Sequence, residues 1–392
     1  MDRRGLYDDR AYWKQALALK NAGMDVFYLV IDYESSVESH EGTTPEGIHY
    51  QIFAAKKYIP NILLNYALKK FTPISTELDE MLNAVIKIKP ELIQIVDLRI
   101  LRILDALKRL EFQPKIIYDI REPREQNLLD LRMKSWRIPF ELKKRYARYI
   151  QNWEYRQASK CDFILGVDDG IGAKIQLNLP DKPYLSLYNF TNLATERAHI
   201  PLQNRKYDAA YVGALSELRG AKTMLHALKI VVATKPDFKL LFLGKAYPKS
   251  LGDNILDFVE KNGLEKNLDW IQGVDFQEVS GFYNQVKIGL NPLHHISAHE
   301  EIMQIKLFEY MNYGIPLITS NFGKMCEIVV ESKTGICIAP NRPEILAASL
   351  LHLLSNEDEM KEYSLNGIAA VDKKYNWSIM EKAYLEIIKS LI

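Results

Sequence analysis

Several things are scarce in this sequence. Cysteine occurs three times in 392 residues, at Cys161, Cys326 and Cys337. A set that is odd in number and widely spaced reads as small buried hydrophobes in a reducing cytoplasm, not as a disulfide framework or a zinc site. An excess of either charge is also lacking. Fifty-one Lys and Arg stand against 50 Asp and Glu, a net +1, which argues against a general nucleic-acid binder. No apolar run approaches the roughly 18 residues of a membrane-spanning helix. The charged opening, MDRRGLYDDR, does not read as a signal peptide. What the chain does have is 47% hydrophobic residues, enough for two or three buried cores and too many for disorder.

Helix-like and strand-like segments alternate along the whole length. Short apolar runs such as VFYLVI (26–31), LIQIV (92–96), KIIY (115–118) and FILGV (163–167) read as buried parallel strands, with amphipathic stretches between them. The second half repeats the pattern with AAYV (209–212), KLLFL (239–243) and strands near 268–271, 288–291, 316–319 and 335–338. A repeating βα chain implies parallel sheets covered by helices. The expected class is therefore α/β, in two similar halves with a ligand cleft at the carboxyl ends of their strands. The polar stretch PLQNRK (201–206) marks the boundary, giving domains 1–203 and 204–375, with 376–392 as a terminal helix. Such a domain normally opens with a strand, yet the first pattern here, over 8–22, is a helix.

The segment HEEIMQIKLFEYMNYGIPLITS (299–320) carries the most chemistry. A helix starting near Gln304 and Ile305 would point unpaired N–H groups, and the positive end of its dipole, at an anion such as a diphosphate. Lys306 adds a full charge in the first turn. Glu309, about one turn further in, can accept two hydrogen bonds from a vicinal diol such as a ribose. Glu301, ahead of the helix, could take hydroxyls on the far side of the phosphates. The bland alternative, two acids on a solvated helix face, stays open from spacing alone. His294, His295 and His299 lie nearby without metal-ligand spacing, so no metal site is expected.

Taken with other stretches, this segment resembles glycosyltransferase family 4. The resemblance rests on Lys306-Leu-Phe-Glu309-Tyr-Met-Asn-Tyr-Gly314-Ile-Pro316, on Tyr211-Val-Gly213 followed by Arg219-Gly220, and on Leu241-Phe-Leu-Gly244. Leu290-Asn-Pro292, Glu327-Ile-Val with Thr334-Gly335-Ile, and Tyr375-Asn-Trp377 complete it. It covers roughly 207–390 strongly and the earlier part more weakly. It implies the GT-B fold, two Rossmann-like domains facing each other across a cleft, with helix 376–392 crossing back to the first domain. It also implies a retaining transferase that uses a nucleotide-diphosphate-sugar donor and no bound metal or other cofactor. By position, Arg219 would pair with the diphosphate, Gly213 and Gly244 would admit it closely, Gln304, Ile305 and Lys306 would bind it, Glu309 would hold the ribose and Glu301 the sugar.

The chain departs from the family pattern at Ala214, where a second basic residue is common, and at Ile302-Met303, where glycines are common. Arg121 stands where related proteins carry a histidine that contacts the donor sugar. Arginine stays charged, so it can bind a sugar or phosphate but cannot act as a general base. An ordinary loop ion pair is the alternative for Arg121 and Glu122. Residues 132–160 hold nine Lys/Arg and two Glu with interleaved aromatics, a composition suited to an anionic membrane surface at the cytoplasmic face. The expected acceptor is a saccharide or lipid-linked hydroxyl, in cell-surface polysaccharide synthesis. A nucleotide-sugar epimerase and a non-catalytic nucleotide-sugar-binding protein remain as alternatives.

Overall fold

The computed structural model describes residues 6–32, 38–55, 76–121, 140–194, 197, 200–274 and 278–392. Glu122 and the first part of the basic segment, 132–139, lie outside the described residues. The chain divides into two compact units, residues 1–188 with 380–392, and residues 189–379.

Among the described residues the first unit holds two sheets. One contains β1 (Phe27–Asp32), β2 (His40–Thr43) and β3 (His49–Ala54), in the order β1-β3-β2. β1 runs parallel to β3, and β2 antiparallel to it. The other contains β4 (Leu92–Ile95), β5 (Lys115–Ile120), β6 (Phe163–Gly166) and β7 (Tyr184–Ser186), all parallel and in that order. β1 and β5 are almost wholly buried, as their unbroken apolar runs require. The β2–β3 hairpin is invisible to hydrophobic pattern: its first strand reads His-Glu-Gly-Thr and is largely exposed.

Helices Thr76–Ile88, Phe140–Ala158 and Asp169–Asn178 cover the second sheet's chain segments. The last is capped by Asp168, whose Oδ1 accepts from the Ile171 amide at 2.8 Å. Between β4 and β5 the chain makes a 3₁₀ turn at Ile100–Ile103 and one α turn at Leu104–Leu107.

At the end of β5, Asp119 is fully buried and takes a two-pronged bond from Arg10, Nε to Oδ2 at 3.1 Å and Nη2 to Oδ1 at 2.9 Å. Burial pushes this carboxyl up, but the Arg10 charge and hydrogen bonds outweigh it and hold the group below its ordinary value. Gln15, Gln94 and Tyr384 continue the chain of bonds at 2.8, 3.0 and 2.7 Å.

The second unit is one six-stranded parallel sheet. Its strands are β8 (Tyr207–Val212), β9 (Leu240–Leu243), β10 (Leu268–Ile271), β11 (Val286–Asn291), β12 (Leu317–Ser320) and β13 (Gly335–Ile338). They lie in the order β10-β9-β8-β11-β12-β13. This is the doubly wound order, and it reverses between β8 and β11, the switch point where such sheets bind ligands. Ala209, Phe242, Ile288, Ile318 and the inner faces of helices Ala221–Thr234 and Pro343–Ser355 form its core. No helix among the described residues is long and apolar enough to cross a membrane.

Candidate functional site

The site is built at that switch point, where β8 and β11 end. Helix Ile305–Asn312 starts here, with Gln304 as its N-cap in extended conformation. Tyr310, on the buried face of this helix, reaches into the gap between the two strands. Its hydroxyl accepts from the Val212 amide at 2.9 Å and donates to the Ala210 carbonyl at 3.1 Å. Gly289 makes room for the ring, since a Cβ there would stand 2.6 Å from it. The same side chain thus fixes the helix against β8 and replaces the sheet bond that the Val212 amide would otherwise seek.

Lys306 follows in the first turn and is only 6% exposed. Its Nζ sits 3.6 Å from the centroid of the Tyr211 ring and has no hydrogen-bond acceptor. It also lies beside Gly213, where a Cβ would stand 3.6 Å away. Burial, then the nearby Arg219 charge, hold this amine well below its ordinary value, with Glu309 opposing them. Arg219 projects from the loop after β8 and donates from Nη1 to the Ala214 carbonyl at 3.1 Å. A buried amine held down by its burial and by a neighbouring guanidinium, at a helix N-terminus, makes a place prepared for an anion.

The glycines in this place are structurally required. Gly213 and Gly244 have φ of +117° and +142°, and a Cβ on Gly244 would lie 2.3 Å from the Gly213 carbonyl oxygen. Three more buried polar atoms here lack partners: Asn291 Oδ1 at the end of β11, His294 Nε2 just beyond it, and Gln304 Oε1. Burial holds the His294 imidazole below its ordinary value. Unsatisfied buried polar atoms are costly. Their clustering on residues 291–306, together with Lys306, marks a polar site shaped for an occupant.

Glu309 shares the helix face of Lys306, three positions on. Its Oε2 accepts from the Tyr283 hydroxyl at 2.6 Å. Tyr283 is buried, edge-on to Tyr310 and stacked on Tyr313. Burial and the Glu309 charge push its phenol well up, so it stays a donor. Tyr283 escapes sequence reading because only the tertiary fold brings it to Glu309.

Of the residues singled out by sequence, Gly213, Arg219, Gly244, Gln304, Ile305, Lys306 and Glu309 come together. Glu301 follows the short helix Ser297–Glu300 and is exposed. Arg121 belongs to the other unit, where its Nη1 bonds Asp8 Oδ1 at 2.7 Å.

Residues 194–369 match the model of the family Glycosyl transferases group 1. An uncharacterised glycosyltransferase of Methanocaldococcus jannaschii is 28% identical over 167 residues, 43% of each chain. The chain spans about half the length, or less, of the first curated relatives it matches. Among solved structures, sucrose-phosphate synthase from Thermosynechococcus elongatus superposes with a TM-score of 0.73 at 16% identity, over 100% of this chain and 94% of that one. The Anabaena protein HepE in complex with UDP gives 0.69 at 11% identity, over 99% and 98%. These likenesses show the GT-B fold, with two Rossmann-like domains.

Proposed function

We propose that the chain is a glycosyltransferase moving a sugar from a nucleotide-diphosphate donor to a saccharide or lipid-linked hydroxyl, with retention, in cell-surface polysaccharide synthesis. The observation that carries the donor assignment is the buried, acceptor-less ammonium of Lys306 beside Arg219 at the start of helix Ile305–Asn312. The family match over 194–369 contains this whole site, and a neighbour of the same fold was crystallised with UDP.

In this reading the diphosphate lies between Lys306, Arg219 and the first amides of the helix, against the bare backbone at Gly213 and Gly244. Glu309, oriented by Tyr283, accepts from the ribose diol. Glu301 and His294 are the nearest candidates for the sugar. The bond from the anomeric carbon to the diphosphate oxygen breaks, and one to the acceptor oxygen forms. The acceptor's proton passes to the departing diphosphate. Arg219, Lys306 and the helix end offset the charge that develops on that group, so the protein's part is positioning and electrostatics. No metal or other cofactor is required for this step as proposed. Arg121, held by Asp8, is proposed as a sugar or phosphate contact, and the 132–160 segment as a contact with an anionic membrane surface at the cytoplasmic side.

A thermal-shift panel of UDP-, GDP- and ADP-sugars tests the donor site, and release of free nucleoside diphosphate on adding acceptor tests transfer. Donor binding with acceptor-dependent release supports the reading. Interconversion of donors without acceptor would indicate an epimerase, and binding without turnover a carrier. Absence of any donor-induced shift would sink the proposal.

A further inference from the structure

Two of the three cysteines meet in the second unit. Cys326 lies in the first turn of helix Gly323–Ser332, and Cys337 lies in β13, the strand that follows. Lys333, at φ +50°, ends the helix and turns the chain back, so that helix and strand pack together. The Cys337 thiol donates to the Cys326 carbonyl at 3.6 Å, and the Cys326 sulfur is also within its hydrogen-bond reach. Both residues are half-buried, whereas Cys161 is buried in the first unit.

The thiols differ in readiness to react. Burial, and then the neighbouring Cys326, push the Cys337 thiol up, so it keeps its proton. That leaves Cys326 to act first as a nucleophile. Burial pushes the Cys161 thiol up to about 12, which makes it inert.

The residue before Cys326 ties the same helix to the start of another. Met325 is buried, and its Sδ accepts from the Gln304 amide at 3.4 Å and from Asn291 Nδ2 at 3.6 Å. Gln304 is the N-cap of helix Ile305–Asn312. One turn thus carries two neighbouring sulfurs with different duties, Cys326 against β13 and Met325 against Gln304. A thioether is a weak acceptor, so its bond to the Gln304 amide is easily lost. An S–S bond is only about 2.05 Å long, far shorter than a hydrogen-bonded contact between sulfurs. Closing it shifts the first turn relative to its surroundings, and the Met325 sulfur moves with it.

We propose that a hydroperoxide converts Cys326 and Cys337 into a reversible disulfide, and that its closure releases the Gln304 amide from Met325. The Cys326 thiolate attacks a peroxide oxygen. An S–O bond forms and the O–O bond breaks; the departing hydroxide leaves as water with the proton that Cys326 gave up. The Cys337 sulfur then attacks the sulfenic sulfur. The S–S bond forms, the S–O bond breaks, and the hydroxide takes the Cys337 proton as a second water. The thiol pair loses two electrons and the peroxide gains them. A dithiol reverses the change. The inference does not need the donor reading.

The test treats the full chain with hydrogen peroxide, blocks remaining thiols with N-ethylmaleimide, and maps the peptides by mass. Amide hydrogen exchange is followed residue by residue on the same samples. The wild type is expected to yield peptides joined through Cys326 and Cys337, lighter by the two thiol hydrogens, and separated again by dithiothreitol. Exchange at Gln304 should become about fivefold faster or more in the oxidised protein and return on reduction. Cys337→Ser should give no joined peptide and no change at Gln304. Both thiols recovered unlinked, a link between chains or through Cys161, or a link that leaves Gln304 exchange unchanged would overturn the proposal. So would faster exchange in peroxide-treated Cys337→Ser, which would trace the effect to oxidation of Met325.

Discussion

Replacing Lys306 with Met should make the ligand-free protein more stable while weakening its hold on a nucleotide diphosphate. The ammonium is buried, and its Nζ lacks an acceptor. A polar group in that condition costs about 1–3 kcal/mol, more when charged, and a desolvated cation–π contact such as that with Tyr211 returns about 2 kcal/mol. Met keeps the volume and the contact with the ring without the charge. A net gain of about 1 kcal/mol raises the Tm of a domain of this size by about 2–4 °C.

With donor present the order reverses. A donor at a hundred times its Kd adds about 2.7 kcal/mol to the wild type. Losing one charged hydrogen bond, about 1.5–3 kcal/mol, weakens Kd by about 10- to 100-fold. At the same concentration the variant then gains as little as about 0.4 kcal/mol. Scanning calorimetry with and without UDP measures both. The pH dependence supplies a third reading. The folded-state value of Lys306 lies below its unfolded value, so between the two the native state holds fewer protons. Stability of the ligand-free wild type therefore rises with pH across that window, up to about 10.4, and the variant lacks this rise. A variant that is less stable than wild type without ligand, or that keeps the full donor-induced shift, would refute the reasoning.

Three further outcomes are expected. Gly244→Ala forces a Cβ to 2.3 Å from the Gly213 carbonyl at φ +142°, which should cost about 2 kcal/mol or more in urea unfolding. Glu309→Gln keeps an acceptor for Tyr283, so stability should stay within about 1 kcal/mol; calorimetric titration should show UDP binding about tenfold weaker but inorganic diphosphate binding little changed. Asp119→Asn strands the buried Arg10 charge and should cost about 3–5 kcal/mol in urea unfolding at neutral pH. Because Asp119 titrates below its unfolded value, its contribution is present above about pH 4 and disappears as pH falls through the folded value. The wild type and Asp119→Asn should therefore converge in acid.

Local patterns carried much of this structure, and long-range ones did not. The apolar runs that became β5, β8 and β9 declared themselves because strands covered on both faces need no polar alternation. Helix Ile305–Asn312 was legible from Lys306, Glu309 and the closing Gly314, all set by spacing along one element. The exposed β2 strand has no such signal, and its pairing with β3 depends on the turn between them. The Arg10–Asp119 pair joins residues more than a hundred positions apart, and Tyr283 reaches Glu309 only through the packing of three tyrosine rings. Glu301 and Glu309 stand eight apart in sequence, yet only the second is held by a partner. The first sits in an exposed bend whose direction spacing cannot set.

The two hydrogen bonds made by the Tyr310 hydroxyl have a kinetic corollary. A helix riveted to its neighbouring strand cannot swing as a separate body, so a ligand reaching its leading amides meets a finished surface. Association should then proceed in one step, with a rate set by encounter and charge, and without a slower rearrangement of this helix behind it.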